Sequence, residues 1–395
     1  MKVLFLSSWF PYPTNNGSKL RIYNLLRGLA VEHEITLITF ADQPDIDPDV
    51  PELTSICQDI RVIPWQPYNP HSLRARLGFL SMMPRSAVDT YSPEMQRTIE
   101  EMVASGKFDV VIASQWGMAG YSNCFQEVPA LFEEVEAGLL YEQYTQAGSL
   151  KERVRYGLSW AKHRHYLTKL LKDFNACTVV SEKEKQLLIG IEPDYKIVET
   201  IPNCINLDDY HKNSRPSNPN TLIFTGSFRY HANYEAMVWF LEEVFPLILV
   251  QIPDVQLTIT GDHANKLLPM QKNVSLVGYV DDIQSLIAAS SVSIVPLLAG
   301  GGTRLKILEA MALFTPVVST TKGAEGISAH HGSNILIADT PEAFAASVIR
   351  LLQNPEFGQS VAKDAYRLVS EHYNWLIVMP RFVDLAEKVA RINGS

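Results

Sequence analysis

Short apolar runs alternate with amphipathic segments along the whole chain. Near its start, an apolar run at Lys2–Ser7 is followed by a loop rich in Pro and Asn. Apolar residues at helical spacing come next, and a second apolar run follows at Glu34–Phe40. A strand, a helix and a strand in this order indicate a βαβ unit with a right-handed crossover. Further runs at 60–63, 109–113 and 130–135 continue the series, so the N-terminal half is predicted to be an α/β domain with a mostly parallel sheet.

The pattern restarts after a polar segment. Residues 213–220 are rich in Pro, Asn and Ser, as is typical of linkers. A strand at Thr221–Gly226, a loop at Ser227–Asn233 and a helix at 235–249 are predicted next, and later elements at 255–260, 274–277, 283–289, 292–295, 315–319, 334–337, 341–352, 358–371 and 375–392. The sequence thus predicts an α/β protein with two doubly wound, Rossmann-like domains. We place an N-terminal domain at 1–205, a linker at 206–220, a C-terminal domain at 221–372 and a last helix at 373–395.

Composition narrows the class of protein. The 395 residues are 46% hydrophobic and 19% charged, as in a soluble globular protein, and the net charge of −9 argues against a general nucleic-acid binder. The four cysteines are scattered without a C-x-x-C pair, which argues against a zinc site or disulfide framework. The apolar N-terminus is too short for a signal peptide, and no apolar segment is long enough to span a bilayer. We therefore expect a cytoplasmic protein, and a peripheral position on the inner face of the membrane is left open.

Two stretches are basic in this acidic chain, at His71–Arg85 and Lys151–Lys172. Both mix cations with large apolar residues. A basic amphipathic helix can lie on an anionic membrane. The alternative is that the apolar residues face the domain core while the cations are solvated. We favour this alternative, because the spacing is also that of an ordinary packed helix.

The segment Ala299–Ala312 holds the main candidate chemistry. Three glycines, 300 to 302, follow a buried strand and precede a helix, so the backbone can turn sharply and approach an anion at the helix start. Arg304 and Lys306 add two cations there, and Glu309 lies one turn further as an acceptor for hydroxyl donors. This order suits the diphosphate and sugar hydroxyls of a sugar nucleotide. Glycine-rich turns with solvated cations are also common in doubly wound sheets, so the loop alone leaves both interpretations open.

The remaining motifs favour a metal-free diphosphate site. Two doubly wound domains leave a cleft at the carboxyl ends of their sheets, where Arg229, Arg304 and Lys306 would converge on a leaving diphosphate. We expect no bound metal, because Asp281 and Asp282 are best explained as a loop and a helix cap. His231 is a weak candidate contact. The sequence has no G-x-S-x-G, H-E-x-x-H or Walker pattern, and no G-x-G-x-x-G after the first strand, which argues against a dehydrogenase.

Over nearly its whole length the chain resembles the retaining glycosyltransferases of GT-B fold, in particular glycosyltransferase family 4 with its group 1 C-terminal domain. Leu308–Ala312 followed by Thr315–Val318 is the most specific match. The other segments that carry the resemblance are Gly17, Ile201–Asn206 (similar to V-P-N-G-V-D), Phe224–Ser227 and Val277–Val280.

The resemblance implies a donor site. Glu309 would bind the ribose hydroxyls of the nucleotide. Arg229, Arg304 and Lys306 would take the diphosphate, and Gly17 would leave room for the donor sugar and the acceptor. The last helix would cross back to the N-terminal domain. The other implied donor contacts, including backbone N–H groups to phosphate and contacts to the base, are Gly226, Asn233, Tyr279, Val280, Asp282, Gly301, Gly302, Thr303 and Leu305.

Two positions depart from the family pattern. The family has two glutamates eight positions apart; the second is Glu309, and the first falls on Gly301. Many members also have a histidine after the strand at 109–113, where this chain has a loop with Gln115 and Trp116. A subset of the family shows the same G-G-G-T-[RK]-x-K-x-x-E form, so we do not interpret these losses as inactivity.

We therefore expect a retaining, metal-independent glycosyltransferase. It would move a sugar from a nucleoside-diphosphate sugar to a hydroxyl acceptor such as a glycan or lipid-linked glycan, without any other cofactor. Synthesis of polysaccharide, glycolipid or another cell-envelope glycan is the expected setting. Two alternatives are kept: a sugar-nucleotide epimerase of the same fold, and an inactive partner that only binds nucleotide sugars.

Overall fold

A computed structural model describes residues 1–43, 46–210, 218–269, 271–300 and 304–394 of the chain, without the side chains of 393 and 394. The predicted contacts of Gly301, Gly302 and Thr303, and residues 211–217 of the predicted linker, lie outside these residues. The chain divides into two compact units. Unit 1 comprises Met1–Ile201 and Met379–Ser395, and unit 2 comprises Pro202–Val378.

Unit 1 is built on a parallel sheet of seven strands in the order β3-β2-β1-β4-β5-β6-β7. Strand β1 lies between β2 and β4, with Val3 opposite Ile35 on one side and Val110 on the other. Both of its faces are covered, which explains why it is a continuous apolar run. The strands are β1 (Lys2–Ser7), β2 (Glu34–Ala41), β3 (Asp59–Pro64), β4 (Val110–Ser114), β5 (Ala130–Glu133), β6 (Ala176–Val179) and β7 (Val198–Thr200).

Helices cover this sheet, and most of them begin at an identifiable cap. Ser149 and Ser181 each accept a hydrogen bond from the backbone N–H three residues on, which satisfies a donor of the first helical turn. The helices are α1 (Gly17–Ala30), α2 (Pro51–Thr54), α3 (Leu73–Leu77), α4 (Arg85–Asp89), α5 (Pro93–Ser105), α6 (Gln115–Ala119), α7 (Gly138–Thr145), α8 (Leu150–Leu171) and α9 (Glu182–Ile191).

Unit 2 repeats the plan with a six-stranded parallel sheet in the order β10-β9-β8-β11-β12-β13. Two apolar clusters pack around it. Its strands are β8 (Thr221–Thr225), β9 (Gln256–Thr260), β10 (Val274–Gly278), β11 (Val292–Val295), β12 (Val317–Ser319) and β13 (Leu336–Ile337). Its helices are α10 (His231–Trp239), a π-helical segment (Phe240–Val244), α11 (Phe245–Gln251), α12 (Ile283–Ala289), α13 (Leu305–Ala312), α14 (Pro341–Gln353) and α15 (Pro355–His372).

The last helix, α16 (Trp375–Ala390), starts in unit 2 and ends in unit 1. Within unit 1, Met379 lies so close to Gly28 that a Cβ there would be 3.2 Å from its sulfur. The Arg381 guanidinium donates to the carbonyl of Thr200 at 2.8 Å, and Glu387 lies 3.3 Å from the His33 ring. The predicted return of the last helix to the N-terminal unit is confirmed.

Three local predictions need correction. The segment 227–233 is not a loop throughout, because α10 begins at His231 and therefore contains Asn233. The segment after β4 is not a loop either, since Gln115 starts the short helix α6. In α8, Leu167 and Leu171 are buried as expected, but Val154 and Leu158 are exposed. The interpretation that the apolar residues of this basic stretch face the core is thus right for one half of the helix and wrong for the other.

Candidate functional site

The backbone that leads into α13 is shaped by a glycine. Gly300 has φ +105°, which L side chains rarely adopt. A Cβ at this position would collide with the Tyr230 hydroxyl and lie 3.2 Å from an Arg304 guanidinium nitrogen. Helix α13 then begins at Leu305, with Arg304 as its N-cap residue in an extended conformation. The chain thus brings Tyr230 and the largely buried Arg304 together at the start of the helix.

Lys306 lies in a polar pocket at the end of β8. Its ammonium donates to the Asn233 side-chain oxygen at 3.0 Å and lies 4.3 Å from the centre of the Phe224 ring. The Asn233 amide in turn donates to the carbonyl of Ser227 at 2.8 Å. Gly226 lies beside them: a Cβ at this position would be 2.7 Å from the amide nitrogen and 2.8 Å from the ammonium, so a larger residue would displace both side chains. The structure therefore groups three sequence-predicted positions: Gly226, Asn233 and Lys306.

The charge of this pocket is unusual. Burial and, to a smaller extent, the neighbouring Arg304 lower the pKa of Lys306 to about 7, while the charge of Glu309 opposes the shift. Lys306 hydrogen-bonds a neutral amide. An anion entering the pocket would stabilise the protonated form and raise this pKa.

Glu309 lies one turn further along α13 and is met by a residue that the sequence analysis did not identify. The Tyr210 hydroxyl donates to its carboxylate at 3.3 Å. Burial raises the pKa of Glu309, whereas the bond from Tyr210 and the charge of Lys306 oppose that shift. Burial and the nearby carboxylate raise the pKa of Tyr210. No sequence motif signals this pair, because its members are 99 residues apart.

Arg229 occupies a more open position. Its side chain is 77% exposed and forms an ion pair with Asp262. The backbone N–H of Ala264 and the Arg229 guanidinium lower the pKa of the Asp262 carboxyl. His231 is also exposed and pairs with Glu235 at 3.2 Å. The predicted phosphate contact of Arg229 stays a prediction.

The segment predicted to meet the nucleobase is exposed at the end of β10. Gly278 has φ +72°, and its carbonyl accepts from the N–H of Gly261 at 2.7 Å. Tyr279 is largely exposed and Val280 partly so. Asp282 caps α12 by accepting the N–H of Ser285 at 3.0 Å, which agrees with the helix cap expected from the sequence.

In unit 1, the predicted glycine is the first residue of α1. Asn16 caps this helix by accepting the N–H of Lys19 at 3.0 Å, and Gly17 follows directly. The next two cations of the helix are buried and paired. Lys19 lies 2.9 Å from Asp42, and Arg21 lies 2.7 Å from Glu133. The helix start beside Gly17 is therefore fixed by two ion pairs inside the unit.

The ends of β4 and β5 carry a second group of residues, whose mutual contacts the sequence did not reveal. Gln115 (φ +67°) and Glu134 (φ +58°) both adopt the left-handed conformation, which is costly for non-glycine residues. The Gln115 amide donates to Glu134 at 2.9 Å, and its oxygen accepts from the Trp9 indole at 3.0 Å. Burial raises the pKa of Glu134 to about 7, partly offset by Arg21. Gln115, one of the two residues expected where many family members have a histidine, is thus held in a defined position.

A cavity of about 660 Å³ opens beside this group in unit 1. Aromatic side chains form much of its wall. Its aromatic lining residues include Trp9, Trp65, Tyr68, Tyr91, Trp116 and Tyr121. Gln115, Arg74 and Asp173 contribute polar groups. Such a lining suits a ligand with both apolar faces and hydrogen-bonding groups.

Comparisons with known proteins agree with this architecture. Residues 219–354 match the family model for glycosyl transferases group 1. An uncharacterized 44.6 kDa protein in the cps region of Klebsiella pneumoniae is 23% identical over 391 residues, which cover 94% of this chain and 96% of that protein.

Solved structures share the fold. Sucrose-phosphate synthase from Thermosynechococcus elongatus has a TM-score of 0.73 at 16% identity, covering 98% of this chain and 99% of the other. Anabaena Alr3699/HepE, solved with UDP, has a TM-score of 0.71 at 14% identity, covering 98% and 100%. The chain therefore has the two-unit Rossmann-like fold of GT-B glycosyltransferases, and its residues 219–354 match the model for glycosyl transferases group 1.

Proposed function

We propose that this protein transfers a sugar from a nucleoside-diphosphate sugar to a hydroxyl acceptor, with retention of the anomeric configuration and without a metal ion. The setting we propose is the synthesis of polysaccharide, glycolipid or another cell-envelope glycan. The relative in a cps region supports this setting.

The observation that carries the proposal is the environment of Lys306. A lysine whose pKa is lowered to about 7 by burial, and whose hydrogen-bond partner is a neutral amide, is ready to receive an anion. A diphosphate in front of the α13 N-terminus would supply that anion, and the helix dipole would favour it too. The same cation would then stabilise the charge that develops on the leaving diphosphate.

The other donor contacts follow from their positions around Lys306. Glu309, one turn along α13, is proposed to accept hydrogen bonds from the ribose hydroxyls, with Tyr210 orienting its carboxylate. Arg304 and Arg229 are proposed to contact the diphosphate. Alr3699/HepE has been solved with UDP-glucose, so a uridine nucleotide is a sensible first donor to test.

For the chemical step we propose front-face attack within an ion pair. The glycosidic bond to the diphosphate breaks while the acceptor oxygen approaches the same face of the sugar. The leaving phosphate oxygen takes the acceptor proton, so no separate carboxylate base is required. A double displacement would need a nucleophilic carboxylate beside the anomeric carbon, and none is assigned this role.

The acceptor is proposed to bind unit 1. The aromatic wall of the 660 Å³ cavity offers flat faces for sugar rings, and Gln115 at its edge offers an amide for a hydroxyl. Gly17 at the start of α1 is proposed to leave room for the donor sugar and acceptor.

A panel of nucleoside-diphosphate sugars tests the proposal, first by thermal shift and then by product analysis with glycan and lipid-linked acceptors. We expect one donor to stabilise the protein and to give a glycosylated acceptor with the donor's anomeric configuration. An epimerised sugar nucleotide formed without acceptor would instead favour the epimerase. Stabilisation without turnover, given suitable acceptors, would favour the binding-only partner.

A further inference from the structure

Large apolar side chains are exposed on one region of unit 1, which we name the docking face. It consists of α3 with the turn that follows it, residues 73–82, and the N-terminal part of α8, residues 150–158. Each of its large apolar side chains is more than half exposed: Leu73, Leu77, Phe79, Leu80, Met82, Leu150, Val154 and Leu158. Exposed apolar side chains are ordinary when scattered, but a cluster marks an interaction surface.

The two parts of the docking face are joined. The Lys162 ammonium on α8 donates to the carbonyls of Gly78 and Phe79 at 3.3 and 2.9 Å. Along α8, Leu150, Val154 and Leu158 recur every fourth residue and so lie within an arc of about 80°. That arc is adjacent to the arc of Lys162, so the apolar stripe of the helix runs beside the turn at 78–82.

The turn at 78–82 has a defined conformation. The backbone N–H of Phe79 donates a hydrogen bond to the carbonyl of Arg76 at 3.1 Å, and that of Leu80 donates to the carbonyl of Leu77 at 3.0 Å. Arg85 stacks on the Phe79 ring at 3.9 Å and donates to the carbonyl of Ala75 at 2.9 Å. The exposure of Phe79 and Leu80 is therefore a property of a folded segment.

The docking face is also strongly basic. Residues 73–82 and 150–158 contain five Lys and Arg and a single acidic residue, Glu152, in a chain with 34 Lys and Arg against 43 Asp and Glu. On α8, Lys151, Arg155 and Lys162 follow the edge of the apolar stripe by helical spacing. Cations that border exposed apolar side chains are the pattern of a surface that rests on anionic lipid headgroups.

We propose that the docking face binds an anionic membrane surface. Leu80, Phe79 and Leu158 would enter the boundary between headgroups and acyl chains, while Arg76, Lys151 and Arg155 contact lipid phosphates. A second copy of this chain is a poorer occupant, because it would oppose one basic face to another. No helix among the described residues is long and apolar enough to cross a bilayer, so the proposed contact is peripheral.

The proposal stands apart from the donor site, although a lipid-linked acceptor would be met at the same surface. The full chain is mixed with vesicles of phosphatidylcholine and phosphatidylglycerol, or of phosphatidylcholine alone, and the bound fraction is measured by flotation. We expect binding to the anionic vesicles that weakens as salt is raised. The variants F79S/L80S and V154S/L158S should each lower the apparent affinity about tenfold, and R76E/K151E should abolish the preference for anionic vesicles.

Matched controls come from exposed residues of unit 2. V250S/L267S removes two exposed apolar side chains, and K272E/K363E reverses two exposed charges; both should bind vesicles like the wild type. Every variant is first checked for an unchanged thermal transition and an unchanged response to the donor panel.

Wild-type protein that does not float with anionic vesicles would overturn the proposal, as would docking-face variants that bind like the wild type. A dimer in solution that F79S/L80S converts to a monomer would assign the face to a second copy instead. Because flotation needs no donor or acceptor, its result is independent of the proposed transferase activity.

Discussion

Both units place cations on a helix that follows a parallel strand, but the cations have different partners. In unit 1, Lys19 and Arg21 of α1 each lie within 3 Å of a carboxylate, from Asp42 and Glu133 respectively. In unit 2, Lys306 of α13 donates to the neutral amide of Asn233 at 3.0 Å, and its pKa is lowered to about 7.

The difference indicates different roles. A buried cation beside a buried carboxylate is neutralised by the protein itself, so α1 is a structural element that carries Gly17 in a fixed place. Among the described residues, Lys306 donates to an amide oxygen rather than to a carboxylate, and Glu309 acts on it through charge without a hydrogen bond. An anionic ligand would therefore stabilise its protonated form further. We therefore propose that the diphosphate binds beside α13, while α1 has a structural role.

The largest effect is expected from breaking a pair in unit 1. The change Glu133→Ala leaves the Arg21 guanidinium buried, with Glu134 at 3.9 Å as a weaker partner. The free energy of unfolding should fall by about 3–5 kcal/mol, the usual range when one partner of a buried ion pair is removed. Urea unfolding followed by tryptophan fluorescence measures this, since four of the six tryptophans belong to unit 1.

The control is Asp364→Ala, which breaks an exposed pair with Arg367 on α15. Its effect should stay within about 1 kcal/mol. Equal losses in the two variants would show that the α1 pair is no more important than a surface contact.

The second effect concerns Lys306, whose ammonium donates to an amide oxygen rather than to a carboxylate. Lys306→Ala should lower turnover about 100- to 1000-fold, as removal of one donor to a developing oxyanion commonly does, and should weaken donor binding less. Steady-state kinetics and donor affinity, measured side by side, separate the two quantities. The exposed Lys272→Ala serves as the control. Wild-type turnover in Lys306→Ala would contradict the assignment of the diphosphate.

Many of the strands and helices behind this comparison can be predicted from the sequence, because the signals that mark them lie within or next to each element. Buried parallel strands such as β1 contain continuous apolar runs, and the sequence predicts α12 at 283–289, its observed bounds, because Asp282 caps it. The sequence predicts that helix α10 begins at residue 235, whereas it begins at His231. Its first turn is polar, and its N-cap residue Tyr230 makes no side-chain capping bond that would mark the start. A helix without such a cap resembles a loop in the sequence.

Contacts between residues that are far apart in the chain could not be predicted from the sequence. Helical spacing in α8 identifies Val154 and Leu158 as one stripe, but cannot tell whether another element covers it. The same holds for the Tyr210–Glu309 bond and for the strained Gln115–Glu134 pair, which join different elements. Arg304, Lys306 and Glu309 belong to one motif and could be recognised there, whereas Tyr210, the partner of Glu309, comes from elsewhere in the fold.

A smaller effect is expected at the carboxylate of the donor site. Glu309→Ala removes the proposed ribose acceptor, and donor binding should weaken by about 1.5–3 kcal/mol, the value of hydrogen bonds to a charged group. Isothermal titration with the donor selected by the panel measures the change. Tyr210→Phe is the matched variant: it keeps the carboxylate but removes its hydrogen-bond donor, so it should cost less than Glu309→Ala. Unchanged affinity in Glu309→Ala would remove Glu309 from the site.

The charge of Lys306 gives a further prediction, on pH. With a pKa of about 7 in the free protein, Lys306 is mostly neutral at about pH 8, and a bound diphosphate should raise that pKa. Donor binding at about pH 8 should therefore take up close to one proton, and at about pH 6 almost none. Titration calorimetry in buffers of different ionisation enthalpy counts the protons. The same experiment on Lys306→Arg, whose guanidinium stays charged, should show no such uptake.

The smallest effect is expected at Arg229, the exposed cation of the comparison. Its guanidinium already pairs with Asp262 and is largely solvated, so a diphosphate would gain little by replacing that partner. Arg229→Gln should weaken donor binding by less than about tenfold. This loss of affinity should shrink more as salt is raised than the loss caused by Lys306→Ala, because salt screens an exposed charge more than a buried one. Asp262→Asn provides the opposite change: it frees the guanidinium and should strengthen donor binding slightly at low salt. If Arg229→Gln lost as much donor affinity as Lys306→Ala, Arg229 would have to leave Asp262 and become buried against the diphosphate. The two cations would then contribute equally to donor binding.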